Sequence, residues 1–247
     1  MSSANPLLLS QLLLEALAVR VYVYHEDRIP LDTPAIVASN HRSFLDPFVL
    51  MKALDRPLRT ACHHYMGEIP VMREFVRTLG CFPFEKPTNR EPVFFQQATA
   101  LLQSQQWIGI FPEGASPMVR VTHPTEMSQF HRGFAHLALR ASVPNLAVLP
   151  VAIASIEERI DRAIPVRALR LFDPSEPLFD RGGIHPMVTY RRANVLFGRP
   201  YWITSTLQQR YRGQEAKKVV TMLTDYCRDE ITGLLLQQLQ ECGGKGK

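Results

Sequence analysis

Apolar residues occur along the chain either in short uninterrupted runs or in longer segments with helical spacing. Short runs are typical of buried strands, and helical spacing places the apolar residues on one side of a helix. The runs predict strands at 35–39, 59–62, 80–86, 107–111, 147–154 and 193–198. The spacing predicts helices at 66–79, 91–106, 131–142 and 206–240. This alternation predicts one α/β domain, in which a mixed, mostly parallel central sheet has helices on both faces.

The N-terminal segment 6–24 is rich in leucine and valine but is interrupted by Ser10, Gln11, Glu15 and Arg20. A helix that spans a membrane needs about 20 predominantly apolar residues, which this segment lacks. We interpret it as an amphipathic helix that either lies in the membrane interface or packs on the domain. No basic start or small-residue cleavage site indicates a secretory signal.

The segment 156–192 is the hardest to interpret because it contains Pro165, Pro174, Pro177, Pro186 and a glycine pair. We predict an excursion of loops and short strands here that shapes a binding pocket. The chain shows no low-complexity linker, so we assign one domain over 1–247, with a core at 35–203 and a frayed tail at 243–247.

Composition narrows the class of protein. The 247 residues are 46% hydrophobic, which allows a core large enough to fold without disulfides. The four cysteines (Cys62, Cys81, Cys227 and Cys242) are scattered, which favours reduced thiols and a cytoplasmic location. The net charge of +5 favours an anionic partner such as a nucleotide, a phospholipid headgroup or a membrane surface. No motif supports nucleic-acid binding.

The turn after strand 35–39 contains the first candidate for chemistry, His41 with Asp46. A histidine can take a proton from a hydroxyl group when a carboxylate fixes its other ring nitrogen. Alternatively, Asp46 is an N-cap followed by Pro47 at the first helical position, or Ser43 is the cap and Asp46 lies in the first turn. The spacing of the two residues does not decide between these interpretations.

A second candidate follows strand 107–111, where Pro112, Glu113 and Gly114 enter a loop. Ligands of open α/β sheets bind at the carboxyl ends of the strands, where both loops are expected to lie. On its own, this tripeptide is a turn.

The remaining histidines indicate no metal site. His63 and His64 with Glu68 lack the spacing of a helical zinc motif. We interpret them, with His123, His131 and His136, as surface or core residues.

Taken together, four stretches resemble in order and spacing the four motif blocks of the glycerolipid acyltransferase family. They are 40–46, 80–86, 111–114 and 148–151, with smaller matches at 132–135 and 198–200. The best-known members of this family are the 1-acylglycerol-3-phosphate acyltransferases. The resemblance extends over 35–203 and implies the α/β fold of the glycerol-3-phosphate acyltransferases.

The resemblance also implies roles for individual residues. His41 matches the general base that deprotonates the acceptor hydroxyl, and Asp46 matches the carboxylate that orients it. The other matching residues are expected to bind substrate. Glu113 and Gly114 belong to the block that shapes the acceptor site, Lys86 falls where an arginine usually binds the acceptor's phosphate, and Pro150 belongs to the block associated with the acyl donor. Asn40, Arg42 and Arg132 lie within or beside matching blocks.

The implied reaction transfers an acyl group from an acyl-CoA or an acyl-carrier-protein thioester to a lipid hydroxyl group. It needs no metal, no cofactor and no covalent acyl-enzyme, and it implies a peripheral position on a membrane. The developing oxyanion needs hydrogen-bond donors, which we expect from backbone N–H groups at the helix start after Asp46 or from Arg42.

Two departures from the family pattern affect the acceptor. The third block continues as Ala115, Ser116 and Pro117, where the family usually has threonine, arginine and serine. Arg120 is a possible replacement for the missing arginine, and Lys86 lacks the bidentate geometry of arginine. The acceptor is therefore either 1-acylglycerol-3-phosphate or a differently headed lipid alcohol. A non-catalytic lipid-binding protein is the alternative from another class.

Overall fold

The structure is a computed structural model that describes residues 5–62, 80–83, 90–114, 116–118, 122–165, 167 and 184–243. The helix predicted at 66–79, the histidines at 63 and 64, Lys86 and Arg120 lie outside the described residues. The last three positions of the strand predicted at 80–86 do so too.

Six α-helices, two short 3-10 helices (Glu26–Arg28 and Ser116–Met118) and eight strands have their bounds in the described part of the chain. The helices are α1 (Pro6–Ala16), α2 (Asp46–Leu54), α3 (Arg90–Gln103), α4 (Gly133–Arg140), α5 (Ser205–Arg212) and α6 (Ala216–Gly243). The strands are β1 (Arg20–Tyr24), β2 (Ala35–Ser39), β3 (Arg59–Cys62), β4 (Phe82–Pro83), β5 (Ile108–Ile110), β6 (Ala147–Pro165), β7 (Ile184–Phe197) and β8 (Tyr201–Trp202).

The strands form one mixed sheet in the order β1-β7-β6-β2-β5-β3-β4, with β8 paired to the start of β6. Only β6–β7 and β6–β8 are antiparallel among the described pairs. The predicted α/β class, with a mostly parallel sheet and helices on both faces, is confirmed.

Strand β2 shows how the sequence builds this arrangement. All five of its residues are buried, and successive side chains point to opposite faces. Ile36 and Ala38 belong to the core beneath α3, α4 and α6, whereas Ala35 and Val37 belong to the core beneath α1 and α2. A continuous apolar run is therefore required here, since both faces are covered.

The prediction of one helix over 6–24 is wrong in its second half. Helix α1 ends at Ala16, and Ala18 has a positive φ of 52°. Arg20–Tyr24 then forms β1, which pairs in parallel with β7. The sequence explains the change, because valine alternates with arginine and tyrosine from Val19 onward, and β-branched and aromatic residues favour strands.

The prediction of loops and short strands is wrong for 156–165 and for 184–192, whereas 166 and 168–183 lie outside the described residues. Strand β6 continues to Pro165 and β7 begins at Ile184, and the two form a long antiparallel pair with register shifts near Ser155, Glu157 and Arg162. We call residues 155–165 and 184–193 of this pair the β6–β7 arm. Pro165 and Pro186 are compatible with it because they lie toward the ends of the strands and near irregular pairing.

Two smaller differences concern the C-terminal region. Strand β7 is not the last strand, because β8 follows at Tyr201–Trp202. The helix predicted over 206–240 is divided into α5 and α6 at Gly213, which is the C-cap of α5. In the described residues, no helix has both the length and the apolar content needed to cross a membrane.

Candidate active site

The loops after β2 and β5 meet at one edge of the sheet. These strands are parallel neighbours, so their carboxyl ends lie side by side. The backbone N–H of His41 donates to Glu113 Oε1 at 2.9 Å. The imidazole ring of His41 stacks on Phe111 with centroids 4.4 Å apart. The second loop therefore holds both the backbone and the ring of His41.

Asp46 is the first residue of α2 and is fully buried. Its Oδ2 lies 2.7 Å from His41 Nδ1 and also accepts the backbone N–H groups of Arg42 (2.7 Å) and Ser43 (2.9 Å). Its Oδ1 accepts the hydroxyl of Tyr190 at 2.6 Å. With Nδ1 donating to the carboxylate, Nε2 of the neutral ring carries the free lone pair. The side chain of His41 is 18% exposed, and none of the described residues forms a hydrogen bond with Nε2.

At the start of α2, neither Asp46 nor Ser43 is the N-cap, but Asp46 lies in the first turn as the second capping alternative predicts. The N-cap residue is Leu45, which has no side-chain cap. Ser43 Oγ accepts the N–H of Leu45 at 3.1 Å while it donates to the carbonyl of Val188 at 2.5 Å. Ser43 therefore links the loop to β7, and the carboxylate of Asp46 serves the loop and the histidine.

Arg42 was expected to bind substrate or the oxyanion, but the structure places it in an internal ion pair. Its Nε and Nη2 donate to both carboxylate oxygens of Glu158 at 2.6 and 2.5 Å, and its Nη1 donates to the carbonyl of Thr122 at 3.0 Å. Burial alone would lower the pKa of Arg42, but Glu158 outweighs it and the pKa is raised. Burial acts to raise the pKa of Glu158, but the hydrogen bond and the charge of Arg42 act in the opposite direction, and the pKa is lowered.

The backbone donors proposed for the oxyanion are also engaged. The N–H groups of Arg42 and Ser43 bond to Asp46, and those of Phe48 and Val49 bond to the carbonyl of Leu45. The expectation that this helix start supplies oxyanion donors is therefore wrong.

Asn40 was also expected to bind substrate, but its side chain is 4% exposed and bonds to the backbone of β6. Its amide donates to the carbonyl of Ile153 at 3.0 Å and accepts the N–H of Ile153 at 2.8 Å. Asn40 thereby continues the pairing of β2 with β6 by one step and holds the start of the His41 loop.

Glu113 holds the loop from the other side. Its carboxylate accepts the N–H groups of His41 and, at 2.5 Å, of Ser128, and the residue is 2% exposed. Burial raises the pKa of Glu113, although both N–H groups act to lower it. The carboxylate is thus used in positioning the backbone of His41.

Gly114, Arg132 and Pro150 occupy different surroundings. Gly114 has φ of +61°, and a Cβ there would lie 3.2 Å from the ring of His131, so a close turn requires glycine. Arg132 is the exposed N-cap of α4, next to this turn. Pro150 is buried within β6, where its carbonyl accepts the N–H of Gly198 at 2.8 Å, and no contact with the described residues places it at the site.

Three residues of the site are not predicted from the sequence: Tyr190, Glu158 and Ser128. Tyr190 and Glu158 face each other across the β6–β7 arm, in the segment predicted as loops and short strands. In the sequence, polar Thr189 stands between Val188 and Tyr190, and this alternation, which predicts a strand, is the available signal. No comparable signal marks Ser128, because its contribution is a backbone N–H.

A histidine held by a buried carboxylate, with its second nitrogen open at the carboxyl edge of a parallel sheet, defines a site for general-base chemistry. The family model described as Acyltransferase matches residues 20–154, more than half of the chain. The chain therefore belongs to the Acyltransferase family, and the family predicted from the motif blocks is confirmed.

A comparison with solved structures agrees with the fold. The crystal structure of the 1-acyl-sn-glycerophosphate acyltransferase PlsC from Thermotoga maritima matches with a TM-score of 0.59 and 17% sequence identity. The match covers 94% of this chain and 78% of that protein. At this identity the likeness shows a shared fold. No curated protein matches the sequence.

The ion pair between Arg42 and Glu158 generates a prediction about stability. Replacing Glu158 with Gln leaves the buried guanidinium without its counter-charge and should lower the free energy of unfolding by about 3 kcal/mol. Because the folded-state pKa of Glu158 is lowered, its contribution is complete above the unfolded pKa and is lost as the pH falls through the folded pKa. Urea unfolding at pH 7 and pH 3 tests this, and the difference between the two proteins should shrink at pH 3. An equal difference at both values would contradict the ionic role.

The contact of Asn40 with β6 generates a second prediction. The Asn40→Leu variant leaves the N–H and C=O of Ile153 without these partners and should lose roughly 2 kcal/mol of unfolding free energy. Asn145→Leu is unsuitable for comparison because Asn145 has positive φ. Gln208→Leu serves as the matched control, because Gln208 is only partly buried and its side chain also donates to a carbonyl, that of Ala141. Equal losses in the two variants would show that the buried position of Asn40 has no special weight.

Proposed function

We propose that the chain is an O-acyltransferase that moves a fatty acyl group from an acyl-CoA or acyl-carrier-protein thioester to the hydroxyl of a lysophospholipid. We propose 1-acylglycerol-3-phosphate as the acceptor, and phospholipid biosynthesis as the setting. The observation that carries this proposal is the 2.7 Å contact between His41 Nδ1 and buried Asp46, which leaves Nε2 open. Family membership supports acyl transfer, and the likeness to PlsC supports the choice of acceptor.

In the proposed reaction, Nε2 of His41 takes the proton of the acceptor hydroxyl as its oxygen attacks the thioester carbonyl. The tetrahedral intermediate then expels the thiolate, which takes the proton back from the imidazolium. The products are an ester and a free thiol, and no proton is gained or lost. Because a thioester is already activated, a base and correct orientation account for most of the acceleration.

Helix α1 has two different faces, which support a proposed position of the protein at a membrane surface. Leu14 is fully buried where α1 packs on α2, whereas Leu8 and Leu12 are about half exposed. Both interpretations of this helix thus retain support, because it packs on the domain and presents an apolar side. We propose peripheral association with the cytoplasmic side of a membrane through this side.

Replacing His41 with Ala should reduce thiol release roughly 1,000-fold, since the reaction would lose its general base. The assay measures thiol release from acyl-CoA and from acyl-carrier protein, with a panel of lysophospholipids and lipid alcohols. His25→Asn is the matched control, because His25 lies outside the site and asparagine tolerates its left-handed φ of 62°.

Circular dichroism should show an unchanged fold in the His41→Ala variant. Retained turnover in that variant would overturn the mechanism. A wild-type protein that releases no thiol with any donor and acceptor would favour the alternative of a non-catalytic lipid-binding protein.

A second candidate acceptor is a lipid alcohol without a phosphate. The specific observation in its favour is that Arg42 is fully committed to Glu158. Within the described residues, Arg132 is then the one predicted substrate-binding side chain whose positive charge lacks an ion-pair partner. The two acceptors therefore differ in whether they need Arg132.

The Arg132→Gln variant should raise KM for 1-acylglycerol-3-phosphate about tenfold with little change in kcat, because a hydrogen bond to a charged group is worth about 1.5 kcal/mol or more. For an uncharged lipid alcohol, KM should stay the same. Arg212→Gln, at the exposed end of α5, is the control. If KM for the phosphate acceptor does not change, Arg132 has no part in binding the headgroup.

A further inference from the structure

Tyr190 brings the β6–β7 arm into contact with the buried carboxylate of the site. It lies on β7 opposite Glu158 of β6 and is fully buried. Its hydroxyl donates to Asp46 Oδ1 at 2.6 Å, a distance typical of a strong bond between a hydroxyl and a carboxylate. The residues are 144 positions apart in the chain, so the contact depends on the tertiary fold.

The two oxygens of Asp46 have unequal surroundings. Oδ2 has three donors from its own loop, namely His41 Nδ1 and the N–H groups of Arg42 and Ser43. Within the described residues, Oδ1 has a single donor, the hydroxyl of Tyr190. Without this hydroxyl, one oxygen of a fully buried carboxylate would have no hydrogen bond, which is costly for an ionised group.

The phenol is suited to remain a donor. Burial first, and then the charge and hydrogen bond of Asp46, keep the pKa of Tyr190 well above its usual value. The hydroxyl therefore stays protonated throughout the pH range in which histidine titrates.

We propose that Tyr190 is a positioning residue for the reaction, which acts through Asp46 and sets how strongly the His41–Asp46 pair holds a proton. The inference rests on the proposed function, in which His41 must be neutral to act as a base. Hydrogen bonds then connect Tyr190 to Asp46, Asp46 to His41, and His41 to the hydroxyl of the acceptor.

The direction of the effect follows from charge. The hydroxyl of Tyr190 stabilises the state with ionised Asp46 and neutral His41 most, because that state carries a full negative charge. Removing it favours the protonated state of the pair, whichever of the two residues holds the proton. The pair should then take up its proton at a higher pH.

Other charged groups also face the pair and remain in place when Tyr190 is changed. Glu113 approaches His41 from the loop after β5, and Arg42 with Glu158 approaches Asp46 and Tyr190 from the loop and β6. His131 lies against the turn at Gly114. These groups are the same in the wild-type protein and in Tyr190→Phe, so a change in the titration midpoint of the pair is attributable to the lost hydroxyl.

The first test is an NMR titration of the histidine ring signals in the full chain, with His41 assigned by the His41→Ala variant. In Tyr190→Phe, the titration midpoint of His41 should rise by roughly 0.5 to 1 pH unit. Tyr226→Phe is the matched control, because its hydroxyl bonds to the carbonyl of Arg199 at 3.0 Å, away from the pair. An unchanged midpoint in Tyr190→Phe would overturn the inference.

The second test is the pH profile of thiol release. The acid limb of kcat/KM should move upward with the NMR midpoint, so that activity below the limb falls about three- to tenfold relative to wild type. The NMR test needs no substrate and therefore judges the role of Tyr190 even if the proposed reaction fails. Lower activity with an unshifted profile would indicate a structural role only and would contradict the proposal.

A fluorinated residue keeps the inference testable if Tyr190→Phe does not fold. Incorporation of 3-fluorotyrosine at position 190 gives a more acidic phenol and a stronger donor to Asp46. The His41 midpoint should then move to lower pH, opposite to the phenylalanine variant. A shift in the same direction as that variant, or no shift, would count against the proposal.

Discussion

The buried carboxylate of Asp46 is the constraint on which the site depends. A fully buried, ionised carboxylate is stable only when its oxygens are well supplied with donors. Here four donors converge on it, from the His41 ring, two backbone N–H groups of one loop, and Tyr190 of β7. The path of the loop, the start of α2 and the position of the arm all follow from meeting this requirement.

Much of the fold was predictable because its signals are local. Strands β2 and β5 are continuous apolar runs, and parallel pairing of neighbours brings their following loops to one edge. That reasoning predicts that the loops of His41 and Glu113 lie close together, as the structure shows. The strands in 156–165 and 184–192 were not predictable, because prolines in this part of the sequence indicate loops. Strand β1 at 20–24 was not predictable either, because a valine-rich segment fits either a helix or a strand.

The roles of individual site residues were less predictable, for a physical reason. An arginine, a glutamate or an asparagine has the same identity whether it binds a ligand or a neighbouring element. Arg42, Glu113 and Asn40 were expected to contact substrate, yet each is committed to a partner 72 to 116 residues away. The role of such a residue depends on a contact with a residue far away in the chain. The periodicity of apolar residues carries no information about that contact.

The β6–β7 arm has a consequence for how such chains are recognised and engineered. The family match ends at residue 154, but Glu158, Val188 and Tyr190, which bond to residues 42–46, all follow it. The motif blocks therefore identify a chain as a member of the family, but they do not include the residues that hold the loop with His41 and Asp46 in place. Grafting the matched segment alone onto another scaffold would transfer the histidine and its carboxylate without their outer support, so the transferable unit extends through the end of β7.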